Sequence, residues 1–222
     1  MKHYFVMVGI ALVGCAAAQT FFYGGDTEGE APYGYPKVAL HDEKIYDDVH
    51  FSIGSGITGI FGNFLDLTGG TALTGSYEVR SGVGAGNGGT LIASGSGSVQ
   101  AALTGRTLFG INEWSYTLRF SRVDLPAGTY WIELKLDSPN GQPSWLTVTR
   151  GTNGVGGPLD NGNSFFSSVA SDYNFAPTNS FGGGSYDFSL GLIGIPAPEP
   201  VSLSVLTAGC FVLLRRRQAT RR

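Results

Sequence analysis

Cysteine is nearly absent: the chain has two, Cys15 and Cys210, and both lie in end segments that read as targeting signals. The stretch between them therefore has no disulfide and no thiolate chemistry, and its stability must come from its core. Positive charge is scarce there as well. Residues 19–196 hold 16 of the 17 acidic side chains but only 8 of the 14 basic ones, a balance of about −8. That excludes a nucleic-acid binder, which needs a cationic face to displace phosphate counterions. HExxH, EF-hand and G-x-S-x-G spacings are missing, so helical zinc sites, calcium loops and a nucleophile elbow have no local support. With two histidines in the body and no cysteine, nothing local points to nucleophilic catalysis, and the expectation is no active site.

Glycine is plentiful, at 35 of 222 residues, more than twice the usual ~7%. Hydrophobic residues still reach 42% and aromatics 12%, which is not a disordered composition. Short Val/Ile/Phe/Tyr/Trp runs between Gly, Ser, Asn and Pro predict many short strands, over about 45–53, 57–65, 75–80, 90–94, 98–103, 113–121, 129–137, 145–150 and 186–193. The expected fold is all-β, a two-sheet antiparallel sandwich of jelly-roll type occupying 44–195, after an irregular leader over 19–43. In Thr129–Leu136, Tyr130, Ile132, Leu134 and Leu136 share one face and Trp131, Glu133 and Lys135 the other, the pattern of a half-buried strand. Trp114 heads a similar alternation and reads as core. Residues 151–185, rich in glycine and without period, read as a long loop and a variable binding surface.

The two ends have their own grammar. Lys2, the apolar run Tyr4–Val13 and the small residues Ala16 and Ala18 before Gln19 form a secretory signal peptide over 1–18, cut ahead of Gln19. Leu12-Val13-Gly14-Cys15 also resembles a lipobox, in which Cys15 is acylated and becomes the mature terminus. At the other end, 196–222 carries Pro198-Glu199-Pro200, an apolar run from 201 to 214, then Arg215, Arg216 and Arg217 and a final Arg221-Arg222. Prolines deny helix continuation, the apolar run enters the bilayer as a short C-terminal helix, and the arginines stop on the cytoplasmic side. At 14 residues the run is shorter than the ~20 of a relaxed span, a gap that snorkelling arginines and local thinning reduce.

This order of elements resembles the PEP-CTERM sorting signal of exported bacterial proteins. The resemblance implies recognition of Pro198, Glu199 and Pro200 by an exosortase-like membrane protease, with this chain as substrate. It implies residence at the cell envelope or in an extracellular polysaccharide matrix, after transient anchoring in the inner membrane. Ile45-Tyr46-Asp47-Asp48, Leu125–Trp131 and Tyr186–Leu190 are similar to stretches in the β-sandwich bodies of that family.

Several patterns carry possible chemistry. Gly84-Ala85-Gly86-Asn87-Gly88-Gly89 fits G-x-G-x-x-G, but the strand-like Thr90–Ser94 after it makes a glycine hairpin the expected structure. His41, Asp42, Glu43, Asp47, Asp48 and His50 crowd one stretch; they are candidate metal ligands, with Ca2+ favoured over Zn2+ because carboxylates predominate. Asp160-Asn161-Gly162-Asn163 is a second oxygen-rich turn that either takes Ca2+ or satisfies backbone amides. The leading reading is a non-enzymatic exported surface or matrix protein. One alternative is a carbohydrate-binding module that uses Trp131 or Trp145 as a stacking platform, and another is a secreted hydrolase with paired carboxylates in a cleft.

Overall fold

The computed structural model describes residues 18–29, 43–71, 74–137, 144–181 and 186–196, and among these it has thirteen strands, one 3-10 turn and no α-helix. The strands are β1 (Gln19–Tyr23), β2 (Lys44–Phe51), β3 (Ser55–Asp66), β4 (Thr74–Ser81), β5 (Thr90–Leu108), β6 (Ile111–Leu125), β7 (Gly128–Asp137), β8 (Ser144–Leu146), β9 (Val148–Thr149), β10 (Phe165–Ser168), β11 (Tyr173–Pro177), β12 (Asp187–Phe188) and β13 (Leu190–Pro196). The signal segment through Ala17 and the whole of 197–222, with the sorting element, apolar run and arginines, lie outside the described residues. Among the described residues no helix is long and apolar enough to cross a membrane.

The all-β expectation holds, with a change in how the sheets are joined. Instead of two separate sandwich sheets there is one eleven-stranded ladder, in the order β1-β13-β3-β6-β5-β4-β7-β2-β10-β11, with β8 added beside β3; β9 and β12 form a separate two-stranded pair. Every pairing is antiparallel. β5 pairs with β6 on one side and β4 on the other, so it joins the two halves of the sandwich. Those halves share a core: Ile57, Ile60, Leu118, Leu190 and Leu192 come from one, and Val49, Val79, Tyr130, Ile132 and Leu134 from the other.

Sequence punctuation explains the tight connections. Phe109 (φ 53°) and Gly110 (φ 77°) make a two-residue turn between β5 and β6, whose positive φ matches the twist of a hairpin. The glycine motif is the β4–β5 hairpin, closed by Gly84 N–H to Asn87 O at 2.9 Å and Asn87 N–H to Gly84 O at 2.8 Å. The segments expected at 90–94 and 98–103 are one strand, because Ser94–Ser98 lacks an apolar signal but is laddered to β4 throughout.

Three further expectations need correction. The leader is not irregular at its start: Gln19–Tyr23 forms β1 against β13, and Phe22 is buried in the core. The glycines at 24 and 25 masked that short apolar run. The segment 151–185 is not a strand-free loop, since it contains β10, β11 and the 3-10 turn Thr178–Phe181. Finally, β7 is covered on both faces, with Trp131 8% and Glu133 1% exposed. The β10–β11 hairpin folds back so that Phe165 and Phe175 close a second cluster with Tyr46, Val83 and Trp131. Arg80 lies over the rings of Tyr46 and Phe175 in that cluster.

Two substitutions test this architecture. Phe22→Ala should cost about 3–5 kcal/mol, the range for emptying a buried ring site, in urea denaturation; an effect below ~1 kcal/mol would detach β1 from the domain. Gly95→Val places a side chain where even a Cβ would sit 2.9 Å from the Tyr77 ring. It should destabilise the chain by about 1–3 kcal/mol and change the near-ultraviolet signature of that ring.

Candidate functional site

Because side chains alternate along a strand, Asp48, His50 and Ser52 leave β2 and its end on the side away from Asp47 and Val49. With Thr129, at the start of β7, and Gly156, Gly157 and Pro158 they line an open cleft of about 600 Å3. His50 is exposed, and its Nδ1 pairs with Thr129 Oγ1 at 3.1 Å. The glycine-rich wall is pinned from two sides. His50 N–H donates to Gly157 O at 3.0 Å, and Tyr23 of β1 exchanges two backbone hydrogen bonds of 2.8 Å with Val155.

Three aspartates interact through their charges here: Asp48, which lines the cleft, and Asp47 and Asp187, which do not. Asp48 accepts from the side-chain amides of Asn161 (3.1 and 3.2 Å) and Asn163 (3.1 Å). Asp187 accepts from the backbone N–H of Asn161 (2.9 Å) and Gly162 (2.7 Å). Asp47 accepts from Phe188 N–H at 2.7 Å and Asp48 N–H at 3.1 Å. Burial raises the titration of all three carboxyls, and the charge of Asp187 raises Asp47 and Asp48 further.

The structure thus brings together two stretches the sequence offered separately, Asp47-Asp48 and Asp160–Asn163. It does not make them a metal centre. Their carboxylate oxygens are engaged by N–H donors, and among the described residues no group of three or more His, Cys, Asp or Glu side chains is disposed to hold a metal ion. His41 and Asp42 lie outside the described residues, as do Ala16, the Pro198-Glu199-Pro200 element and Arg215–Arg217. Ala18 is exposed, and Gln19, also exposed, opens β1. Trp131 and Trp145 are 8% and 9% exposed, so neither offers the solvent-facing platform expected of them; Trp131 instead donates through Nε1 to Asn163 O at 3.1 Å. Sequence reasoning missed Thr129, Ser52 and Asp187. For Asp187 the available signal was a lone acid between Tyr186 and Phe188 in an apolar closing strand.

Of the other buried acids, all outside the cleft, one lacks a hydrogen-bond partner. Glu133 faces Glu78 across the β4–β7 ladder, and both its carboxylate oxygens lack a hydrogen-bond partner. Glu78 is occupied by Lys44, Arg80 and Tyr46. Burial above all pushes Glu133 up to about 8, with Lys44 acting in the opposite direction.

No protein-family model matches the chain, and no curated protein matches it. Among solved structures, similarity is found to the cysteine protease and lectin-like domains of Cwp84, a surface layer associated protein of Clostridium difficile. That match has 17% identity and a TM-score of 0.43 over 71% of this chain and 33% of the other. The clostridial protease Cwp84 after propeptide cleavage gives 16% identity and a TM-score of 0.43 over 74% and 38%. The chain therefore spans little more than a third of those proteins.

Glu133 makes stability depend on pH with a definite sign. Its folded value is raised, so its contribution is complete below the unfolded value near 4.5 and is lost as pH rises to about 8. Thermal melts should show Glu133→Gln close to wild type near the lower limit. Near the upper limit the variant should melt higher by several degrees, corresponding to a few kcal/mol, on the order expected from such a shift. Parallel melting curves for the two proteins would show that Glu133 is ionised throughout.

Proposed function

We propose that this chain is a non-enzymatic, exported protein of the cell surface or extracellular matrix, and that its β-sandwich body binds a saccharide through the cleft on β2. The observation that carries this reading is the cleft itself: open, and bordered by the polar side chains of Asp48, His50, Ser52 and Thr129 against a glycine wall held at both ends. Hydroxyl-rich ligands are recognised by a few fixed donors and acceptors. The asparagine clamp on Asp48 supplies such fixity before any ligand arrives. With Trp131 and Trp145 buried, hydrogen bonds and not ring stacking do the holding.

Export and sorting rest on the end segments. Recognition of Pro198, Glu199 and Pro200 by an exosortase-like protease fits a body whose last described strand closes at Pro196. Signal cleavage before Gln19 fits a first strand that opens at that residue. Cutting at these two places removes no strand of the described residues.

One observation favours a hydrolase: Asp48, His50 and Ser52 line the same cleft. Their hydrogen bonds run elsewhere, however. Asp48 is taken by Asn161 and Asn163, and the His50 ring is bonded to Thr129, so no carboxylate orients the imidazole as a relay requires. That engagement supports binding over hydrolysis.

Two measurements test the reading. Intact mass of the mature protein should give a chain from Gln19 to near Glu199; retention of Arg215–Arg222, or a lipidated Cys15, would sink the sorting half. On a glycan array, His50→Ala and Thr129→Ala should each weaken binding about tenfold, the worth of ~1.4 kcal/mol, with unchanged melting. Wild-type binding to no glycan would remove the saccharide half.

A further inference from the structure

Tyr46 reaches across a whole strand. It leaves β2 on the same face as Asp48 and His50, and its hydroxyl donates to Glu78 Oε2 of β4 at 2.8 Å, although β7 lies between those two strands. The ring therefore passes over β7 at Glu133, which sits opposite Glu78 in the β4–β7 ladder and one step on from the Asp47–Ile132 pair. Phe175 of β11 packs on that ring with centroids 5.0 Å apart, so the β10–β11 hairpin closes over both. Around the Glu133 carboxyl stand Glu78 and Arg80 of β4, Lys44 and Tyr46 of β2, and Lys135 of its own strand. From the hairpin come Phe165 and Phe175, which carry no charge. Lys44 and Arg80 are both committed to Glu78.

This cover is held lightly. β10 meets β2 over three residue pairs, Phe165–Tyr46 to Ser167–Lys44, and β11 ends the ladder. Its far side is latched to the glycine hairpin by Gly86 N–H to Phe175 O at 3.1 Å and by Asn174 Nδ2 to Gly86 O at 2.9 Å. Phe175 makes that latch at φ 48°, a left-handed conformation that a bulky side chain keeps only where its surroundings impose it. Closed, the hairpin holds a strained Phe175 and a buried carboxyl with no hydrogen-bond partner. Lifting relieves both.

We infer that the β10–β11 hairpin is a lid that lifts off β2 and β7 as pH rises, driven by ionisation of Glu133 beneath it. A carboxylate there stands beside Glu78, whose cations are already engaged, and it gains solvent only if Tyr46 and Phe175 move aside. The rise of Glu133 to about 8 agrees: burial is its main cause and Glu78 adds to it, against Lys44, Lys135 and the Glu78 main-chain N–H. With the closed value raised and the open value near 4.5, closure is fully favoured below the lower value, and that advantage is lost as pH rises to about 8. Asn163, just ahead of β10, accepts from Trp131 Nε1 and clamps Asp48, so a lifted lid also loosens that clamp. The lid goes beyond the saccharide reading and does not depend on it.

The test is hydrogen–deuterium exchange of the mature protein at pH ~5 and ~9, with rates normalised to intrinsic exchange at each pH. In the wild-type chain, protection of 164–177 and of the Gly86 amide should fall by about tenfold or more, while the amides joining β3, β6 and β13 keep theirs. In Glu133→Gln the same segments should stay protected at both values. Gly88→Ala, whose Cβ would run into the Phe175 ring, should expose them already at the lower pH. Equal losses in wild type and Glu133→Gln, no loss in either, or loss spread over every strand would each overturn the lid, as would a Gly88→Ala hairpin that stays closed. Should Glu133→Gln fold poorly, the contrast between 164–177 and β13 in the wild-type chain decides alone.

Discussion

The sandwich depends on one strand having glycine in the middle of its inner face, at 95 and 97. β5 is hydrogen-bonded to β4 and β6 at once, so it belongs to both halves of the molecule. Tyr77 of β4, opposite Gly95, stacks on Phe120 of β6 with ring centroids 4.0 Å apart and planes 14° from parallel. The two rings come from the strands flanking β5, and they meet because Gly95 carries no side chain. Glycine in a strand is normally a weakness. Here the aromatic lid supplies the packing the strand lacks, and the sheet can turn on itself without breaking its ladder. Core residues on β3, β6 and β13 then face those on β2, β4 and β7 in a register set by a single chain of hydrogen bonds.

That arrangement explains which parts of the fold could be read in the sequence. Val/Ile/Tyr-rich strands such as β3, β6 and β7 declare themselves by alternation and by the turns around them. β5 does not, because its central Ser-Gly-Ser-Gly-Ser has the composition of a linker and is a strand only because it has partners on both sides. β1 fails to show for a related reason, being three aromatic or apolar residues followed by glycines. The β10–β11 hairpin hides in a segment whose glycines suggest a loop, and its apolar residues find a use only against Tyr46 and Trp131, far away in the chain. Covering the outer face of β7 in this way turns a strand with solvent-side periodicity into a doubly buried one and leaves the Glu133 carboxylate buried without a hydrogen-bond partner.

The site was legible in pieces. Asp48 and His50 stood out as acid and imidazole on one face of a strand, and Asn161 and Asn163 as an oxygen-rich turn. What the sequence could not supply is that the turn reaches across 113 positions to hold Asp48, or that Asp187 anchors the backbone of the same turn. Long-range polar clamps leave no periodic trace. The tryptophans mislead for the opposite reason: an aromatic on the polar face of an alternating strand reads as exposed until a second layer is known to cover it.

The pairing of the first and last strands has a mechanical consequence. β13 is laddered to β1 on one side, with Gln19 opposite Gly194, and to β3 on the other, with Pro196 opposite Ser55. A load applied to the chain at Pro196 therefore enters a strand gripped along both edges, and two rows of hydrogen bonds resist it together. The loop wall of the cleft is itself tied to β1 through Tyr23 and Val155, so the strand pair that holds Pro196 also steadies one side of the cleft.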